Sequence, residues 1–305
     1  MKKLMFALDG SPLAECALLT GEALARRWQA EILLVRVVEP YMPGLPGALT
    51  SLATRLAELH RQEAEPYLRN VAEDLIARGF KVRPILRVGS ARHELAKVAR
   101  DEQVDMVVMS SHGRSGPGRW LLGSIAEWVL RHSPCPVLLV RICEPPGEPL
   151  QFSRILVPLD GSERSQAALP MLAELADGGT RVLLLRAADL DDLRLEPAER
   201  QTVLDSIRHD LEGVSLPEVS RGACATALKV ERLVVDSRPA VAILETARRE
   251  RCDLILMTTH GRTGPSRALL GSVAERVARH SECHVLIVPA RPEGSQPWPW
   301  PGGVA

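Results

Sequence analysis

One segment of this chain is written twice. Residues His112 to Ser133 and His260 to Ser281 align without a gap and agree at 16 of 22 positions. The same local structure therefore has to form in two places. At 305 residues the chain is long enough for two ordinary domains, each with its own core. Each copy follows an apolar run, Met106 to Met109 or Leu254 to Met257, and precedes a helical pattern, Ser124 to His132 or Ser272 to His280. Each is therefore read as a glycine-rich loop between a buried strand and a helix start. Such a loop suits an anion, because glycines let the backbone approach closely and free helix N-terminal amides point at the ligand.

The rest of the chain fits around these loops. Lys3 to Leu8 reads as a strand, and Asp9-Gly10-Ser11-Pro12 as a turn with Ser11 as N-cap and Pro12 at the first helical position. Leu13 to Trp28 carries apolar residues at helical spacing. Ile32 to Val38 is a continuous β-branched and leucine run, as a strand covered on both faces requires. Glu39 to Thr50 reads as a loop, Leu52 to Ile76 as a helix bent at Pro66, Val82 to Val88 as a strand and Ala91 to Arg100 as a helix. Val137 to Ile142 is the last strand of the first copy.

The pattern then restarts. Arg154 to Ser162 repeats Lys3 to Ser11, including Asp160-Gly161-Ser162. A helix from Glu163 to Ala176, strands from Arg181 to Ala187 and Lys229 to Val235, a helix from Ala240 to Glu250 and a strand from Val285 to Val288 complete it. Asp189 to Ala225 resembles its counterpart least. The expected division is 1–143, a linker 144–152, 153–291, and a disordered proline- and glycine-rich tail 292–305. Strands alternating with helices mean right-handed crossovers and a parallel sheet in an α/β fold.

Composition narrows the function. Lysine plus arginine equals aspartate plus glutamate, 38 against 38, so no nucleic-acid surface is expected. No apolar run approaches a membrane span and the start is not that of a signal peptide, so the expected location is cytoplasmic. The six cysteines form no metal-like spacing and read as small buried residues in a reducing compartment. No nucleophile elbow surrounds His112 or His260, and no Walker-type Gly-x-x-x-x-Gly-Lys-Ser/Thr is present. No catalytic residue and no metal ligand is assigned.

With these residues in view, the chain resembles a tandem universal stress protein over roughly 1–142 and 153–290. The family motif, Gly-x-x-Gly, nine residues, Gly-Ser/Thr, is matched from Gly113 to Gly123-Ser124 and from Gly261 to Gly271-Ser272. Asp-Gly-Ser after the first strand matches in both copies. The resemblance implies two doubly wound domains, each a five-strand parallel sheet in order 3-2-1-4-5 with helices on both faces, and a ligand crevice where that order reverses. It implies ATP, with Mg²⁺ as an optional companion, as the cofactor. In the first copy the implied contacts are Asp9 to ribose or adenine, Val37 to adenine, and Ser110, Gly113, Gly123, Ser124 and Ile125 to the phosphates. In the second they are Asp160, Ala187, Thr258, Gly261, Gly271, Ser272 and Val273.

Two departures stand out. Ser110 and Thr258 replace the family's first motif glycine, adding a Cβ beside the ligand. Gly89 is aligned with Asp236, which would recharge the second adenine pocket; the first site is expected to be the better one. The resemblance further implies that the last strands pair within one chain as a pseudo-dimer, with a homodimer of chains the other arrangement. The expected role is a nucleotide-dependent stress sensor or switch. A slow ATPase or nucleotidyl transferase, a ligand-free protective scaffold, and a purely turn-capping role for Asp9 and Asp160 stay open.

Overall fold

The computed structural model describes residues 1–39, 47–111, 122–141, 152–217, 220–221, 224–225, 228–260 and 270–290. The linker up to residue 151, the tail, Gly113, Gly261, His112, Arg114 and Arg262 lie outside them. The chain divides into two compact units, Met1–Leu150 and Gln151–Ala305.

The first unit runs β1 (Lys3–Ala7), α1 (Pro12–Trp28), β2 (Glu31–Val38), α2 (Gly47–Ala77), β3 (Val82–Val88), α3 (Ala91–Asp101), β4 (Met106–Ser110), α4 (Ser124–His132) and β5 (Val137–Val140). Its strands pair in parallel in the order β3-β2-β1-β4-β5, so the sheet reverses direction between β1 and β4. Leu4, Met5, Phe6 and Ile32 to Val35 are fully buried, as strands covered on both faces must be. The turn before α1 explains its position. Gly10 takes φ 79°, which a side chain would resist, and Ser11 Oγ then accepts the Ala14 N–H at 3.2 Å. Further along α1, a Cβ on Gly21 would lie 2.1 Å from the Phe6 ring, so only glycine lets the helix settle on β1.

The second unit repeats the plan with β6 (Arg154–Pro158), α5 (Glu163–Gln166), α6 (Pro170–Leu175), β7 (Arg181–Ala188), α7 (Pro197–Glu212), a short hairpin β8 (Ser220–Arg221) and β9 (Cys224–Ala225), β10 (Lys229–Asp236), α8 (Pro239–Arg249), β11 (Leu254–Thr258), α9 (Ser272–His280) and β12 (His284–Val288). The sheet order β10-β7-β6-β11-β12 is again 3-2-1-4-5 in parallel. A reversed ion pair marks the common register. Arg83 on β3 bonds Glu31 on β2 at 3.2 Å, while Arg181 on β7 bonds Glu231 on β10 at 2.5 Å. The positions match and the charges have exchanged places. Arg83 also holds Glu102, whose carboxyl it keeps below the usual range.

Several sequence readings need correction. The helix expected from Glu163 to Ala176 is two short helices, because Pro170 lacks the N–H a continuous helix needs and instead starts α6. α2 begins at Gly47, inside the expected loop. β10 pairs Asp236 with Ala188, and β3 pairs Val88 with Val38, so Asp236 is the counterpart of Val88 and not of Gly89. Cys135, Cys252 and Cys283 are buried free thiols, but Cys16 is disulfide-bonded, against the all-reduced reading.

Candidate functional site

In the first unit the carboxyl ends of β1, β2 and β4 meet the starts of α3 and α4 around a cavity of about 320 Å³. This is the point where strand order reverses, the usual ligand position in such sheets. Asp9, Val37, Ser110, Gly123, Ser124 and Ile125 all line it. Gly113 lies outside the described residues. Sequence reasoning missed Glu39, Ser111 and Ala91, which also line it. An acidic residue directly after the second strand in both copies, Glu39 and Asp189, was the available signal.

The donors come from α4. Gly123 is its N-cap and supplies no side-chain cap to the amides of the first helical turn. Among them are those of Ser124 and Ile125, beside the Ser124 hydroxyl. Gly123 spends its own N–H on Ser111 O at 2.8 Å, which ties the two ends of the glycine loop together. An anion at a helix start of this kind needs no basic side chain.

The acceptors come from the other wall. Asp9 Oδ1 accepts the Ser11 N–H at 2.9 Å, so this carboxylate does cap the turn. The capping and ligand readings are not exclusive, since a carboxylate offers about four acceptor positions. Glu39 Oε1 accepts the Ala91 N–H at 2.8 Å, which sets its charge against the start of α3. Behind this wall Arg36 lies over the Tyr67 ring at 4.9 Å. Tyr67 donates to Glu15 at 3.3 Å, and burial together with that carboxylate pushes its hydroxyl up to about 12. Tyr67 is thus a fixed neutral donor that braces Arg36, next to Val37.

The second unit differs in kind. Asp160 Oδ1 accepts from both Ser162 N at 3.0 Å and Ser162 Oγ at 2.6 Å. The Arg186 guanidinium lies so close to Gly161 that a Cβ there would be 2.3 Å from Nη1. Thr258 Oγ1 donates to His260 O at 3.0 Å, and Thr259 Oγ1 accepts the Ala290 N–H at 2.9 Å. Arg200 bonds Asp236, and also Asp191 at 2.8 Å, drawing the segment after β7 across to β10. The cavity described in this unit, about 440 Å³, is lined by Ser272 and Val273 but not by Asp160, Ala187, Thr258 or Gly271. This cavity is therefore not the counterpart of the first unit's, which Asp9, Val37, Ser110 and Gly123 line. Gly261 lies outside the described residues.

The two parallel sheets and the helices between their strands define a tandem α/β protein of the doubly wound class. The sequence model of the universal stress protein family matches residues 1–141 and 151–289. A universal stress protein of Mycolicibacterium smegmatis is 26% identical over 94% of this chain and 97% of its own length. The universal stress protein MJ0577 of Methanocaldococcus jannaschii is 31% identical over 46% of this chain and 94% of its own. A universal stress protein structure from Archaeoglobus fulgidus superposes with a TM-score of 0.64 at 21% identity, covering 94% of this chain and 96% of that one. The chain belongs to the universal stress protein family. Among the described residues no helix is long and apolar enough to cross a membrane.

Proposed function

We propose that the crevice of the first unit binds ATP and that the chain acts as a nucleotide-dependent sensor in a stress response. The observation that carries this reading is the convergence of two kinds of group on one cavity. The α4 amides and the Ser124 hydroxyl suit phosphate oxygens, and the Asp9 carboxylate suits sugar hydroxyls. The backbone at Val37, at the end of β2, offers hydrogen-bonding groups to a base edge. A volume of about 320 Å³ lies within the range of small-molecule sites, which starts near 300 Å³. The charged residues lining the cavity, Asp9 and Glu39, are both acidic, so the phosphates belong at the α4 end, away from Glu39. Mg²⁺ would offset the remaining repulsion when the nucleotide carries it.

Nucleotide contacts to the α4 amides would order the loop they follow, and a partner would read that change. The switch can shift only as far as ATP affinity differs between the two states. In this reading the last strand of each unit serves to pair domains within one chain. The proposed domain limits are 1–143 and 153–291, and the cytoplasm is the proposed location.

Isothermal titration of the full chain with ATP tests the reading. One site per chain is expected, weakened roughly tenfold or more by Asp9→Ala. Absence of binding at millimolar ATP would remove it.

A further inference from the structure

The groove between α8 and α9 lacks the aromatic side chain that its counterpart in the first unit carries. There Trp128 on α4 stacks on His132 with ring centres 4.0 Å apart and meets His93 edge-on at 5.0 Å. By repeat position, Trp128 becomes Arg276 and His93 becomes Val241, while His132 stays histidine as His280. His280 meets no aromatic ring among the described residues. It lines the cavity of about 440 Å³ together with Arg238, Arg276 and Arg279. The imidazole is kept and the indole that covered it is gone. We propose that the segment after β12, residues 291–305, whose composition alone suggests disorder, docks in this groove and seats Trp298 or Trp300 against His280 and Arg276.

The chain leaves the sheet at the rim of this groove. Ala290 donates its N–H to Thr259 Oγ1 at 2.9 Å, and Thr259 O accepts the Gly271 N–H at 2.8 Å. Gly271 is the N-cap of α9, and the next two residues, Ser272 and Val273, line the cavity. Beyond Ala290 the sequence runs Arg291-Pro292-Glu293-Gly294-Ser295-Gln296-Pro297-Trp298-Pro299-Trp300-Pro301. The stretch from Ala290 to Trp298 can span up to about 26 Å. The nine residues of α9, from Ser272 to His280, extend only about 13 Å. Either indole can therefore reach His280, at the far end of the helix.

The two partners match chemically. Among aromatic rings the indole face attracts a guanidinium most strongly. Arg238 and Arg276 form no ion pair among the described residues, so neither gives up a carboxylate to meet it. His280 offers the stacking surface that His132 offers Trp128. Pro297, Pro299 and Pro301 favour an extended backbone before docking, which lowers the entropy lost on ordering. Three residues per turn in that conformation point the two indoles to different sides, so one enters the groove and the other stays outside it.

Hydrogen exchange on the full chain, read by mass spectrometry without added ligand, tests the proposal. In the Trp298→Ser/Trp300→Ser variant, peptides covering residues 271–280 should exchange about twofold faster or more than in the wild type. Both substitutions lie outside the two cores, so the rest of the chain should exchange as before. Arg276→Ser, at an exposed position, should also speed exchange in these peptides. Adding the two tryptophan substitutions to it should change nothing further, since the contact they share is already lost. Unchanged exchange at 271–280 in the tryptophan variant would overturn the proposal, as would a further increase in the combined variant. So would a change confined to another surface, which would place the segment elsewhere. Protection that falls on dilution of the protein would assign the groove to the segment of a second copy and equally overturn docking within one chain.

Discussion

Gly123 gives its backbone N–H to the carbonyl oxygen of Ser111 at 2.8 Å, and Gly271 does the same to Thr259 at 2.8 Å. The bond fixes where α4 starts relative to the end of β4, so the helix amides face the cavity from a set position. Gly123 has φ −64°, the angle proline prefers. Gly123→Pro therefore keeps the backbone angle and deletes the donor, while adding ring atoms that restrict Leu122. Loss of about 1–3 kcal/mol of stability is expected, together with weaker ATP binding, read by thermal unfolding and titration.

Asp9 works both for the turn and for the proposed ligand, and two variants separate these roles. Asparagine keeps an oxygen for the Ser11 N–H, so Asp9→Asn should hold its stability while losing ATP affinity. Asp9→Ala should lose both, with about 1 kcal/mol of stability gone. Asp160→Ala should cost similar stability through Ser162 and leave ATP affinity unchanged. Denaturant midpoints and calorimetry on the three variants give the comparison.

Gly21 sets the seat of α1 on β1. Alanine there would place its methyl carbon 2.1 Å from the Phe6 ring. The ring is fully buried and has little room to turn. Gly21→Ala should destabilise the first unit by about 1–3 kcal/mol, seen as a lower melting temperature.

Burial pushes the Cys135 and Cys252 thiols up to about 12. Neither should react with iodoacetamide at pH 8 in the native chain, and both should react once it is unfolded. Their folded values lie above the ordinary 9.0. The stability they contribute is therefore complete below about pH 9 and is lost as pH rises from there towards 12. Cys135→Ala should flatten this alkaline decline in denaturant midpoint between pH 8 and 11.

Much of this architecture is legible in the sequence because the duplicated loop and the β-branched runs carry strong local signals. Ile32 to Val38 can scarcely be anything but a buried strand. α7 left no such signal, since Leu211 is its one buried residue among mostly charged neighbours. Its visible mark was the capping box, Glu196 with Glu199 around Pro197. The slip that matched Asp236 to Gly89 has a different cause. Only strand pairing fixes register at that level, and a one-residue error moves a side chain to the other face. The site of the first unit could be read because Asp9, Ser124 and Gly123 sit in motifs. Tyr67 could not, because it stands behind the crevice wall against Arg36 only through tertiary packing. The contacts of Arg186 and Arg200 were equally hidden, since their partners lie far along the sequence.

The most direct test of the whole account is a crystal structure of the full chain grown with ATP. The account predicts nucleotide density in the first unit, with phosphates within hydrogen-bonding distance of the Ser124 and Ile125 amides and a sugar hydroxyl on Asp9. Triphosphate density against Asp160 and Gly271, with the crevice beside Asp9 empty, would contradict it.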